Sequence, residues 1–156
     1  MPVIHLNIGS NLGHRRALIE LAVAGLRPAL GGEMRVSAPV ESPPWGFDSP
    51  HPFLNVGVAV SVPGPVDPGG VLDVCRSVER SISSASHRTP DGGYADRLID
   101  IDIIAIDDIV MDTPELTLPH PRMHLRGFVL APMAELAPEW RHPVSGLTAR
   151  EMIESL

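Results

Sequence analysis

The chain contains no lysine, and all 12 of its basic residues other than histidine are arginine. That absence excludes a phosphate-loop lysine, a Schiff-base lysine and a lysine-dependent kinase mechanism. Any work on phosphate falls instead to arginine forks, metal ions and backbone amides. Positive charge is scarce overall: 19 acidic residues leave a formal net charge of −7, which argues against a sequence-independent grip on nucleic acid. Cysteine is nearly absent. The single Cys75 cannot form an intramolecular disulfide, and its place in an apolar-periodic stretch reads as the core of a reduced, cytoplasmic protein. The start, Met1-Pro2-Val3-Ile4-His5, has no basic segment leading into an apolar run, and no apolar run is long enough to cross a bilayer, so no membrane partner is expected. What is present, 156 residues of which 44% are hydrophobic, suits one packed domain spanning 1–156 and acting as a monomer.

The apolar pattern alternates between periods of two and 3.6. Val3 to Ile8 reads as a strand closed by Gly9-Ser10-Asn11-Leu12-Gly13, and Arg15 to Leu30 as a helix ending at Gly31-Gly32. Met34 to Val40 suggests a second strand, and Phe53 to Val62 a third with Val56, Val58, Val60 and Val62 on one face. Asp67-Pro68 opens a second helix running to about Ile82. Leu98 to Ile106 is strongly β-like, Ile109 to Met111 reads as a short arm, and Phe128 to Leu136 and Thr148 to Leu156 are helical. Segments 41–52 and 83–96 read as loops. The order β-α-β-β-α-β predicts an α+β sandwich with helices packed on a mainly antiparallel sheet.

Asp100 and Asp102 are the sharpest chemical signal. Side chains alternate along a strand, so both carboxylates share one face while Ile99, Ile101 and Ile103 share the other. Two like charges spaced by about 7 Å repel, and divalent cations with phosphate oxygens would relieve them; a solvated, charged sheet face is the plainer reading. His120-Pro121-Arg122-Met123-His124-Leu125-Arg126 is a cationic cluster in an acidic chain, able to neutralise phosphate charge. Arg97 and Arg88 could add fork geometry or be solvated surface arginines, the plainer reading for Arg88 taken alone. The glycine turn at 9–13 could offer amides to an anion or be a simple turn. Phe53 and Phe128 could be core or could stack on a flat ligand.

Taken in order, Gly-Ser-Asn-Leu-Gly at 9–13, Pro43-Pro44-Trp45-Gly46, Phe53-Leu54-Asn55, Arg97 through Asp102, Leu116-Thr117-x-Pro119-His120 and Arg126-Gly127-Phe128 resemble the 6-hydroxymethyl-7,8-dihydropterin pyrophosphokinases of folate biosynthesis. The resemblance implies a ferredoxin-like α-β-α sandwich that transfers pyrophosphate from ATP to the pterin hydroxymethyl group and releases AMP. It implies that Asp100 and Asp102 hold two Mg²⁺ ions. Phe53 and Phe128 would sandwich the pterin, with Asn55, Ser42, Pro43 and Trp45 at its edge. Arg97, His120 and Arg126 would contact phosphates, Glu79 would lie by the nucleotide, and Ile103, Leu116 and Thr117 would line the adenine. The family usually has an arginine shortly after the helix glutamate. Here Ser83-Ser84-Ala85-Ser86 stands there and Tyr94 takes the place of a common tryptophan, so either Arg88 partly replaces that arginine or the enzyme runs slower without one. The competing expectation is a non-catalytic pterin- or nucleotide-binding paralogue, suggested by that altered loop.

Overall fold

The computed structural model describes residues 1–43, 51–83 and 99–156. Trp45, Arg88 and Arg97, with most of both expected loops, lie outside the described residues.

Strand β1 (Val3–Ser10) is the sheet's centre, buried from Ile4 onward, so it reads as a continuous apolar run with polar interruptions at His5 and Asn7. It pairs antiparallel with β4 (Phe53–Ser61) on one side and β5 (Asp100–Ile106) on the other. Beyond β4 lie β2 (Glu33–Val36) and β3 (Val40–Ser42), both antiparallel to it. The single strand expected at 34–40 is thus two. Ser37 leaves the β2 ladder to bond Gly57, and Pro39, which has no N–H to offer, sits in the break.

Helices α1 (Arg15–Leu30) and α2 (Pro68–Ile82) cover one face, within a residue of the spans that periodicity predicted. Ile4, Leu6, Ile8, Leu26, Cys75, Ile101 and Ile103 fill that layer. Burial pushes the Cys75 thiol up to about 12, so it is an inert core residue, as expected. On the other face lie α3 (Gly127–Leu136) and α4 (Ala149–Glu154), over Ile104, Met123, Val129, Leu130 and Met133. The expected three-layer α-β-α sandwich is what forms, with the expected short arm displaced to a hairpin of β6 (Met111–Asp112) and β7 (Thr117–Leu118).

Gly57 decides how closely α3 approaches. A Cβ built there would stand 2.5 Å from the Cβ of Pro132, so any side chain forces the helix outward. Gly57→Ala should cost about 1–3 kcal/mol of stability, the range for overpacking, visible as a lower thermal midpoint. An unchanged midpoint would mean that α3 shifts without loss.

His5 is buried near the Trp140 ring, 6.1 Å between centroids, and burial lowers its pKa to about 4 against the field of Asp107. The folded protein therefore prefers neutral His5. Between pH 4 and 6.5 the unfolded chain binds more protons, so stability rises with pH across that window. Acidification from pH 6.5 to 4 should remove roughly 3 kcal/mol through this residue. Denaturant titrations of His5→Leu should show a shallower pH slope than the native chain; parallel slopes would count against this assignment.

Candidate functional site

Cross-strand register builds the floor of the site on the face that carries α3. Directly paired residues of an antiparallel sheet share a face. One row therefore runs Asp100, Gly9, Asn55, Val40 across β5, β1, β4 and β3, and the next runs Asp102, Asn7, Gly57. Phe53, paired with Ser42, extends the first row by two residues along β4. The paired carboxylates thus meet Asn55, Phe53 and Ser42 on one surface.

Asp100 and Asp102 are half-buried. The guanidinium of buried Arg126 stands with Nη1 3.8 Å from Asp102 Oδ2 and its Cζ 5.7 Å over the Phe128 ring. One cation therefore joins the carboxylate side of the floor to the aromatic side. Glu79 on α2 approaches β5 from the other face, where Oε2 accepts the Ile101 backbone N–H at 2.8 Å and Oε1 lies 3.4 Å from Arg76 Nη1. Its carboxyl is held above the usual range, chiefly by burial and further by the charge of Asp100, while the Ile101 bond opposes the shift. The donor set suits a hard divalent ion: two carboxylates on one face of β5. Mg²⁺ is characteristically held by a few carboxylates, with water and phosphate oxygens completing the octahedron.

Asn55 is buried, and its Nδ2 donates to Val40 O at 3.1 Å and to Ser42 Oγ at 2.9 Å. Both amide hydrogens are used, so the residue presents its carbonyl oxygen, an acceptor, toward Gly9. A Cβ at Gly9 would stand 2.9 Å from that oxygen and 3.3 Å from Phe53 Cδ1. Phe128 lies in the first turn of α3, its carbonyl accepting from Asn7 Nδ2 at 3.1 Å.

His120 N–H donates to Ile104 O at 2.8 Å, fastening the segment after β7 to the outer edge of β5. The Arg122 backbone N–H donates to His120 Nδ1 at 3.1 Å. Burial, then Arg126 and Arg122, lower the imidazole to about 4. His120 is therefore neutral at pH 7, with its proton on Nε2. In that form it offers a single directed donor beside the charges of the arginines. Ile101 turns its N–H outward from the sheet, and the period of two gives Ile103 the same orientation on that edge. Leu116 and Thr117, both half-buried, stand beside β5 on the β6–β7 hairpin, with Thr117 Oγ1 donating to Asp112 Oδ1 at 3.1 Å. Thr117 and His120 also wall a cleft of about 750 Å³ lined further by Met111 and Asp112 of β6, by His124 and Leu125, and by His142 and Leu147 of the C-terminal segment.

Of the residues singled out in sequence, Asp100, Asp102, Arg126, Phe128, Asn55, Phe53 and Ser42 are brought to one region. Exposed Pro43 follows Ser42 directly. Glu79 reaches β5 from its far face, and Ile103 lies within that strand. Asn7 was missed, although its signal was there: His5, Asn7 and Gly9 alternate with Leu6 and Ile8, marking one face of β1 as polar. The turn expected at 9–13 begins later, because Gly9 and Ser10 belong to β1.

The family described as 7,8-dihydro-6-hydroxymethylpterin-pyrophosphokinase matches residues 5–138. A relative from Porphyromonas gingivalis is 40% identical over 144 residues, covering 92% of this chain and 95% of the relative. One from Methylorubrum extorquens is 36% identical over 159 residues, covering 100% of this chain and 94% of the relative. One from Bacillus subtilis is 33% identical over 135 residues, covering 86% and 77%. All three are named 2-amino-4-hydroxy-6-hydroxymethyldihydropteridine pyrophosphokinase. Among solved structures, a Plasmodium falciparum HPPK-DHPS chain superposes with a TM-score of 0.74 at 15% identity, covering 99% of this chain but only 44% of that one. An HPPK-DHPS in complex with substrates gives a TM-score of 0.71 at 14% identity, covering 99% and 43%. At that identity the likeness is one of fold.

Proposed function

The chain belongs to the 7,8-dihydro-6-hydroxymethylpterin-pyrophosphokinase family, and on that premise we propose how its own residues carry out the transfer of pyrophosphate from ATP to 6-hydroxymethyl-7,8-dihydropterin in folate biosynthesis. The observation that carries the reading is the convergence of Asp100, Asp102, Arg126, Phe128, Phe53 and Asn55 on one sheet face.

The pterin ring lies between Phe53 and Phe128, and the Asn55 carbonyl accepts from its N–H edge. Ser42, Pro43 and Trp45 complete that side. ATP lies along the outer edge of β5, its adenine against Ile103, Leu116 and Thr117, with Glu79 beside the nucleotide. Asp100 and Asp102 would hold two Mg²⁺ ions, which would neutralise phosphate charge and make the pterin hydroxyl more acidic. Arg126 and Arg97 pair with phosphate oxygens, Arg88 stands in for the arginine absent after Glu79, and neutral His120 donates from Nε2.

The pterin hydroxyl oxygen attacks the β-phosphorus and gives up its proton to solvent, the bond from that phosphorus to the α,β-bridging oxygen breaks, and AMP leaves carrying that oxygen. The side chains named here align the two oxygens, hold the charge and exclude water; none becomes covalently attached. The enzyme acts as a cytoplasmic monomer without nucleic acid or membrane. The described residues contain no helix long and apolar enough to cross a bilayer.

The test is AMP release from ATP and Mg²⁺, with and without 6-hydroxymethyl-7,8-dihydropterin. Pterin-dependent AMP in equal amount to the pyrophosphorylated pterin is expected. AMP independent of the pterin, or none, would refute the site assignment.

A further inference from the structure

The chain reaches the pterin side of the floor along β3 and returns along β4, so the ends of the intervening segment, near Ser42 and Phe53, must be held at a fixed separation. Two residues outside the site do this. Arg15, on the first turn of α1, places Nη1 3.4 Å from Glu41 Oε1 and donates from the same atom to Pro52 O at 3.0 Å. One guanidinium thus bridges the residue before Ser42 and the residue before Phe53, across 11 positions of sequence. Asn11, buried at the end of β1, donates from Nδ2 to His51 O at 3.1 Å, one residue further out on the returning side. Asn55 secures the outgoing side through Val40 O and Ser42 Oγ.

From this geometry we infer that Asn11 and Arg15 are positioning residues for the pterin half of the site: they clamp the two ends of the segment between Pro43 and His51 and so set where Ser42 and Phe53 stand. The inference rests on the pyrophosphokinase reading and extends it. It also gives the Gly-Ser-Asn-Leu-Gly motif a use other than anion binding. Gly9 leaves room for Asn55 and Phe53, while the Asn11 side chain points its donor at a backbone carbonyl of the returning segment. None of these bonds involves β5, Glu79 or His120, so the clamp should act on the pterin and leave ATP alone.

The experiment compares the native chain with Arg15→Met, Arg15→Lys and Asn11→Asp, measuring steady-state KM for each substrate, kcat at saturation and the thermal midpoint. Arg15 is partly exposed, and Asn11→Asp keeps the size while removing the amide donor, so at least the arginine variants should fold. Loss of one or two such bonds predicts a pterin KM raised about five- to tenfold in Arg15→Met and Asn11→Asp, with ATP KM and kcat within about twofold of native. Arg15→Lys, which can still reach a carboxylate or a carbonyl, should recover most of the loss. Native-like pterin KM in folded variants would overturn the inference. Equal rises in both KM values, or a fall in kcat without a pterin effect, would overturn it too, reassigning these residues to the general scaffold. Absence of pterin-dependent AMP in the native chain would refute the functional reading itself. Native activity with unaffected variants refutes the clamp alone.

Discussion

Asp102→Asn should lower kcat by about a thousandfold or more while leaving the fold intact, because an uncharged amide replaces one carboxylate of the Asp100–Asp102 pair. Asp102 has two roles in the geometry: it is a same-face partner of Asp100, and it lies 3.8 Å from the guanidinium of Arg126. Removing its charge therefore weakens the Mg²⁺ site and leaves buried Arg126 without that anion. Asp100→Asn should lose activity comparably but should act differently on the scaffold. The charge of Asp100 raises the Glu79 carboxyl, so its removal should let Glu79 ionise at lower pH. The two variants separate in a pH titration of stability, and both should respond to raised Mg²⁺ with partial recovery. Retention of more than about a tenth of native kcat in either would sink the metal assignment; a thousandfold loss corresponds to about 4 kcal/mol of transition-state stabilisation.

The second large effect is expected at Arg126. Arg126→Met keeps much of the volume and loses the fork, so kcat/KM for ATP should fall about a hundredfold or more. Because the guanidinium also lies over the Phe128 ring, pterin KM should rise as well, by about two- to tenfold, the scale of a partly desolvated cation–π contact. That double signature separates Arg126 from a residue that touches phosphate alone. Arg126→Lys should restore little, since an ammonium cannot lie flat on the ring and reach a phosphate as a fork at once. An ATP defect with unchanged pterin KM would mean that the ring contact does no positioning.

His120 behaves differently from these charged groups. With its pKa near 4, it offers the same neutral donor throughout the physiological range, so no activity step near pH 6.5 should come from it.

Much of this arrangement is legible in the sequence. The helices at 15–30 and 68–82 lie where apolar spacing and a leading proline put them, because helix periodicity is a local property of the chain. The face shared by Asp100 and Asp102 follows from strand alternation alone, and the core place of Cys75 from helical spacing. The break between β2 and β3 was less legible, because loose alternation through Ser37 and Pro39 cannot reveal which ladder bonds Gly57 supplies.

The sequence by itself determined the element order, the lysine-free style of phosphate handling and the same-face carboxylates, each of which depends on neighbours a few positions apart. Tertiary structure alone decided that Asn55 presents its carbonyl, that Arg126 joins Asp102 to Phe128, that His120 is neutral and that Arg15 and Asn11 hold the pterin-side segment. These depend on cross-strand register and on burial, which are set by groups tens of residues away: Asn7 meets the Phe128 carbonyl across 121 positions, and Arg35 meets that of Leu136 across 101. A side chain's charge state and the direction of its donors follow from the dielectric and partners around it, and those exist only once the layers have packed.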